Sequence, residues 1–172
     1  VGSYFLGQQQ LQMGAAAEAV EALEKSEELA TFCDMGVIAN LSAAYLSAAR
    51  CQTGDRTAAL SGFDRALRKA RKMRDPLGEG EIHRQRALAT CGGSAEEREA
   101  AWADFAAAET IFERIEARPY LARTLRDHGD ALLAAGRTDE ARPYLLRSLG
   151  LFDAMAITDE ADRVRAGLAA VG

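Results

Sequence analysis

Two histidines, three cysteines and 18 arginines are the residues of this chain whose chemistry could support a reaction or a binding site. His83 and His128 fall at different positions of the helical pattern described below, so their side chains are expected to point in different directions. His128 occupies a position that is normally apolar, and we expect a hydrogen-bonded core residue there rather than a general base. The sequence holds no nucleophile elbow, metalloprotease helix, P-loop or dinucleotide-binding motif. These observations predict that the chain is not an enzyme.

The three cysteines, Cys33, Cys51 and Cys91, are widely spaced and form no C-x-x-C pair. Metal ligation needs several donors that converge on one ion, and such pairs are the usual way to supply them. We therefore expect buried or idle thiols in a reducing compartment, with no metal site and no cofactor. The chain shows no basic-then-apolar leader, so a cytoplasmic location is predicted.

Composition excludes several classes of protein. The chain has 172 residues, of which 48% are hydrophobic and 27% charged, and its net charge is -5. No apolar run approaches the roughly 18–20 residues that a membrane span needs. The acidic balance gives no general attraction to nucleic acid. We expect neither a membrane nor nucleic acid as the partner.

Charge is strongly segregated along the first half of the chain. Residues 18–34 carry six acids and one cation, whereas residues 56–74 carry seven cations and one acid. One interpretation is that two neighbouring helices compensate each other's fields. The other is a basic patch for nucleic acid or an acidic partner. Its face would consist of Arg65, Arg68, Lys69 and Lys72.

A repeat runs through the whole sequence. Ala19, Ala59, Ala101 and Ala141 follow one another at nearly constant intervals of about 40 residues. Each is followed by a large apolar residue four positions later and by a small residue seven positions later. Small residues let two helices approach closely, and the large ones fill the space between successive hairpins.

This pattern resembles the tetratricopeptide repeat, in a long form of about 40 residues against the common form of about 34. The resemblance implies an all-α, right-handed solenoid of four helical hairpins plus a C-terminal capping helix, in a single domain over residues 1–172. The repeats are predicted at about 3–33, 35–74, 76–117 and 119–156, and the capping helix at 158–170. The third repeat departs from the pattern, since residues 91–94 replace its turn glycine and two residues are inserted.

Helix signals divide the chain into nine predicted helices. Ser94 and Glu97 have the spacing of a capping box, and Thr138 and Thr158 are candidate N-caps. Pro143 falls about one turn into its helix and is expected to bend the start of that helix slightly. The predicted bounds are 3–13, 15–32, 35–52, 55–73, 76–91, 95–116, 119–135, 139–155 and 159–170.

In repeats of this family the first helix of each hairpin lines a concave groove that binds a partner. Arginines in the second half of the groove suit carboxylates, so the implied ligand is an acidic peptide or a helix with an acidic end. The alternative is that these arginines are solvated or paired with Asp127 and Asp130. Tyr45 stands where chaperone-binding members have asparagine, so chaperone-tail binding is not predicted. The predicted groove residues are Tyr4, Gln8, Ala44, Ala48, His83, Arg86, Thr90, Arg123, Arg126 and Asp130.

The fourth repeat and its tail are similar to the C-terminal repeats of large bacterial regulators, of the MalT and LuxR types or linked to adenylate cyclases. The predicted function is therefore that of a protein-protein interaction module, a scaffold or sensor in signal transduction. Two alternatives stay open: a self-association scaffold that forms a homo-oligomer, and a sensor of nucleic acid or a small ligand that uses the basic helix 56–74.

Overall fold

A computed structural model of the chain describes residues 2–169, and every regular element in that range is an α-helix. Each bound lies within two residues of its prediction, and residue 170 of the predicted last helix lies outside the described residues. None of these helices combines the length and apolar character needed to cross a membrane. The helices are α1 (Gly2–Gln12), α2 (Ala16–Phe32), α3 (Gly36–Gln52), α4 (Arg56–Met73), α5 (Pro76–Thr90), α6 (Ala95–Arg114), α7 (Arg118–Ala134), α8 (Thr138–Ala154) and α9 (Thr158–Ala169).

Three of the turns contain a glycine that a side chain could not easily replace. Gly14, Gly54 and Gly136 have φ angles of 79°, 89° and 75°. They lie between α1 and α2, between α3 and α4, and between α7 and α8. Positive φ is the conformation that glycine adopts most readily. The three glycines therefore lie at the points of the turns where the backbone requires the left-handed region.

A second set of turns recurs with the period of the sequence repeat but uses residues other than glycine. Asp34, Arg74, Glu116 and Ala156 have φ angles between 54° and 57°. Each follows the second helix of a predicted hairpin. The left-handed conformation costs a non-glycine residue roughly 1–2 kcal/mol. Left-handed turns therefore recur along the backbone at the same interval of about 40 residues as the sequence repeat.

Helix caps agree with the sequence at one position and differ at another. The Ser94 hydroxyl accepts from the Glu97 backbone N–H at 3.2 Å, and the Glu97 carboxylate accepts from the Ser94 N–H at 2.7 Å, which confirms the capping box. The cap expected at Thr138 is wrong, because the N-cap of α8 is Arg137, which makes no side-chain cap. The turn after Gly136 places Thr138 already inside the helix, and Arg137 instead pairs with Glu140. Helix α8 continues through Pro143.

The chain divides into two compact units, Val1–Ala89 (unit 1) and Thr90–Gly172 (unit 2). In unit 1, each of the helices α1 to α3 packs on the next one along the chain. A Cβ on Gly7 would come within 2.5 Å of the Leu23 side chain, which shows how closely α1 approaches α2. Leu23, Phe63 and Ile82 lie fully buried in the core of this unit.

In unit 2, α6 packs on α7, α7 on α8, and α8 on α9. A Cβ on Gly129 would lie 2.7 Å from the Leu145 side chain, so the close approach of Gly7 to Leu23 recurs at an identical sequence separation. Helix α9 buries Ala161 and Val164 in a cluster with Leu145 and Phe152. The last described helix thus covers the preceding hairpin, as expected of a capping helix.

Candidate partner-binding surfaces

The first part of the predicted groove lies within the core of unit 1. Tyr4, Ala44 and Ala48 are buried and belong to its hydrophobic cluster. The Tyr4 ring meets the Tyr45 ring edge-on at 5.7 Å. Gln8 is half-buried, and its amide donates to the Tyr45 hydroxyl at 2.8 Å. Of these four predicted residues, only Gln8 retains appreciable exposed surface.

A buried polar network extends from Tyr45 onto α5. Arg84 donates to the Tyr45 hydroxyl at 3.2 Å and forms an ion pair with Glu81 at 2.8 Å. Gln85 donates to the same Glu81 carboxylate at 3.1 Å. Burial, reinforced by the charge of Glu81, raises the pKa of Tyr45 well above its ordinary value. The network therefore keeps Tyr45 protonated and connects α1, α3 and α5 through polar side chains.

The predicted groove residues on α5 differ in exposure. His83 and Thr90 are buried, and the His83 ring lies 3.4 Å from a guanidinium nitrogen of Arg71. Arg86 is half-buried and donates to the exposed carboxylate of Asp64 at 3.0 Å. Arg86 is thus the one of these three residues whose own side chain is not buried.

In unit 2, Arg126 is held between two carboxylates. It donates to Asp127 at 2.7 Å and forms a second ion pair with Glu160 on α9. Burial alone would lower the pKa of Arg126, but the charges of Asp127 and Glu160 raise it above the ordinary value. The pairing with Asp127 that the sequence left open is therefore present. Glu160 escaped sequence reasoning because it lies two helices further along the chain.

The other two predicted groove residues of unit 2, Arg123 and Asp130, also lie on α7. The Arg123 guanidinium lies over the Tyr120 ring, 5.9 Å from its centre. Partial desolvation and the nearby charge of Asp127 raise the pKa of Asp130, while Arg126 acts in the opposite direction. Arg123 and Asp130 keep exposed surface and are available to a partner.

His128 is buried, and its Nδ1 lies 2.7 Å from a carboxylate oxygen of Glu109. The ring stacks on Phe105 at 4.8 Å and tilts against Tyr144 at 4.1 Å. The hydrogen-bonded core position expected for this histidine is confirmed.

Unit 1 also contains an open cleft, which we call the α2–α4 cleft. It encloses about 510 Å³ and is bordered by α2, α3 and α4. Leu46 of α3 is a buried residue of its lining, and Arg50 of α3 pairs with Glu24 of α2 at 2.8 Å. The lining residues are Glu24, Glu27, Glu28, Thr31, Phe32, Leu46, Arg50 and Arg65.

One side of the cleft carries an unusual exposed aromatic ring. Phe32, the last residue of α2, is 88% exposed, and Leu29 on the same helix is 48% exposed. Large apolar side chains at the rim of a cleft are typical of sites that bind other proteins. Phe32 was not among the residues singled out from the sequence, and the structure reveals its exposure.

The charges around the cleft are largely unneutralised. Within residues 2–169, neither Glu27 nor Glu28 on α2 forms an ion pair, and neither does Arg65 on α4. The ion pair between Glu24 and Arg50 joins α2 to α3 rather than to α4. Direct ion pairing between the acidic and basic helices is therefore absent from the described part of the chain. A ligand in the cleft would meet fixed charges of both signs.

The described residues contain no group of three or more His, Cys, Asp or Glu side chains that could hold a metal ion. The cysteines are free thiols; Cys33 is exposed, whereas Cys51 and Cys91 are half-buried. No family model matches this chain, and a search of the curated proteins finds no relative.

Proposed function

We propose that this chain is a protein-interaction module in which tetratricopeptide-like hairpins stack as a right-handed solenoid. Support comes from the backbone turns that recur with the period of the sequence repeat, and from the small-to-large contact of Gly7 with Leu23 that recurs at Gly129 and Leu145. Regularly spaced hairpins bury a continuous core and leave extended surfaces for partners. In a larger bacterial regulator, such a module would act as a sensor or scaffold.

The binding surface that we propose is the α2–α4 cleft. The observation that carries this proposal is the exposed Phe32 ring beside an opening of about 510 Å³, next to the carboxylates of Glu27 and Glu28. An aromatic anchor surrounded by polar groups is the usual composition of an interface centre. The matching ligand is a peptide segment that packs an apolar side chain on Phe32 and directs lysine or arginine toward Glu27 and Glu28.

Selection of a random-peptide display library on the purified protein tests this proposal. We expect enriched peptides to share an apolar residue flanked by basic residues. Phe32→Ser should weaken their binding by about tenfold or more, since loss of a central aromatic commonly costs over about 1.4 kcal/mol. The charge reversal Glu27→Lys with Glu28→Lys should have a similar effect that diminishes at high salt.

The matched control is Leu146→Ser on α8, which removes a half-exposed apolar side chain in unit 2. This variant should bind the selected peptides as the wild type does. Peptides that bind Phe32→Ser at full strength would refute the cleft as the site. Binding lost only in Arg86→Glu would move the site to the predicted groove and favour an acidic ligand.

A further inference from the structure

Helix α4 presents a row of positive charge to solvent, which we call the α4 face. Its members recur at the spacing i, i+3, i+4 and i+7, so they share one side of the helix. At the rise of an α-helix, this row extends over about 10 Å, or two turns. Lys69 is half-buried, and the other three members are exposed. The α4 face consists of Arg65, Arg68, Lys69 and Lys72.

The carboxylates nearest to this face along the chain are engaged by other cations. Asp64 is the one acid of α4, and it accepts from Arg86 of α5 at 3.0 Å. Glu79 of α5 pairs with Arg71 at 2.7 Å. Within residues 2–169, no member of the α4 face forms an ion pair. The positive charge of the face is therefore not compensated by the described part of the chain.

The acidic helix α2 does not supply the missing partners, although it is close. Helices α2 and α4 both pack on α3 and border the α2–α4 cleft. Glu24 of α2 is paired with Arg50 of α3 instead. Like charges at i and i+4 repel one another, and an anion bound along the α4 face would relieve that repulsion.

We infer that the α4 face binds an acidic helical segment of another protein, whose carboxylates recur with the same spacing as the cations. Guanidinium groups pair with carboxylates through two parallel hydrogen bonds. Two helices that lie side by side can match opposite charges turn by turn, as they do along the edges of coiled coils. A segment of two or three turns is long enough to meet all four cations.

A nucleic acid fits this face less well than an acidic helix does. Phe63, the one aromatic residue of α4, is fully buried, so α4 exposes no ring on which a base could stack. A strand longer than the row would also carry phosphates toward Glu27 and Glu28, which line the cleft together with Arg65. These carboxylates would repel the strand, whereas a short helix ends with the row.

Fluorescence anisotropy of a labelled helical peptide with glutamate at i, i+3, i+4 and i+7, titrated with the full chain, tests this inference. We expect the peptide to bind with a Kd that rises as salt is added, because the contact is carried by exposed charges. Arg68→Glu with Lys72→Glu should raise the Kd by about tenfold or more. Both side chains are exposed, and the milder pair Arg68→Gln with Lys72→Gln should lose part of the binding without adding charge.

The matched control is Arg118→Glu with Arg142→Glu, which reverses two exposed arginines of unit 2 and changes the net charge by the same amount. It should bind the acidic peptide as the wild type does. Equal losses in the two charge-reversed variants would overturn the inference, as would no binding, binding that resists salt, or equal binding of a peptide with glutamine in place of glutamate. Tighter binding of a single-stranded DNA oligonucleotide than of the acidic peptide would overturn it as well.

The α4 face and the α2–α4 cleft can be tested separately. Arg68 and Lys72 are not among the residues that line the cleft. Their reversal should therefore leave binding of the cleft peptides unchanged, and Phe32→Ser should bind the acidic peptide at full strength. A variant that loses both ligands would show that the two surfaces are one site and would overturn the assignment of a separate acidic partner to the α4 face.

Discussion

Replacing Arg84 with methionine should reveal how much the buried network of unit 1 stabilises the fold. The Glu81 side chain is 1% exposed, and it accepts hydrogen bonds from Arg84 at 2.8 and 3.2 Å and from Gln85 at 3.1 Å. Removing one partner of a buried ion pair commonly costs about 3–5 kcal/mol, because the other charge stays buried without compensation. We expect the lower end, about 3 kcal/mol, since Gln85 still donates to Glu81.

The assay is urea unfolding of Arg84→Met, Glu81→Gln and the double variant, followed by far-ultraviolet circular dichroism. Arg84→Met should lose about 3 kcal/mol, whereas the double variant should lose much less than the sum of the two single losses, because it no longer buries the charge of Glu81. In thermal unfolding, the loss for a chain of this size corresponds to a fall in Tm of roughly 6–12 °C.

The matched control is Arg147→Met, whose ion pair with Glu113 is about half exposed on both sides. Exposed pairs contribute about 0–1 kcal/mol, so this variant should be nearly as stable as the wild type. Additive losses in the Glu81 and Arg84 cycle, or an Arg84→Met variant that matches the control, would refute the reasoning.

Two further predictions concern pH and packing. The raised pKa of Asp130 means that its charged form is disfavoured in the fold. Asp130→Asn should therefore stabilise the protein at pH values above the ordinary aspartate pKa of about 3.9, and this advantage should disappear at lower pH. Thermal unfolding from about pH 3 to about pH 8 measures this, and an equal advantage at every pH would contradict it. Gly7→Ala should destabilise by about 1–3 kcal/mol, because its Cβ would lie 2.5 Å from Leu23, whereas Gly150→Ala on α8 has open space and should stabilise by about 0.5–1 kcal/mol. Urea unfolding measures the free energy of unfolding of the two variants, and equal values would count against the close packing of α1 on α2.

The helices were predictable because local signals mark them. The turn glycines, the Ser94 capping box and the alternation of small and large residues are all read from neighbouring positions. The cap at Thr138 was predicted wrongly because Gly136 is followed by a turn that shifts the start of α8 by one residue. The left-handed turns at Asp34 and Ala156 contain no glycine, so the residue types at these positions do not predict a left-handed backbone.

The binding surface was less predictable, because the exposure of its side chains depends on burial and on partners that lie far away in the sequence. A place in the repeat motif selects Ala44 and Ala48 as groove residues but does not reveal that the core covers them. The contacts of Tyr45 with Gln8 and with Arg84 each join different helices, far beyond the spacing within one helix. The two charged runs that border the α2–α4 cleft were visible in the sequence, whereas the exposure of Phe32 was not.

The most direct test of the central claim is to map where a selected peptide binds, by following backbone amide signals of the isotopically labelled protein during titration. We predict that the largest changes occur at residues 24–32, around Leu46 and Arg50, and at Arg65, and that they disappear in Phe32→Ser. Changes concentrated instead at Arg86, Arg123 and Arg126 would contradict the assignment of binding to the α2–α4 cleft.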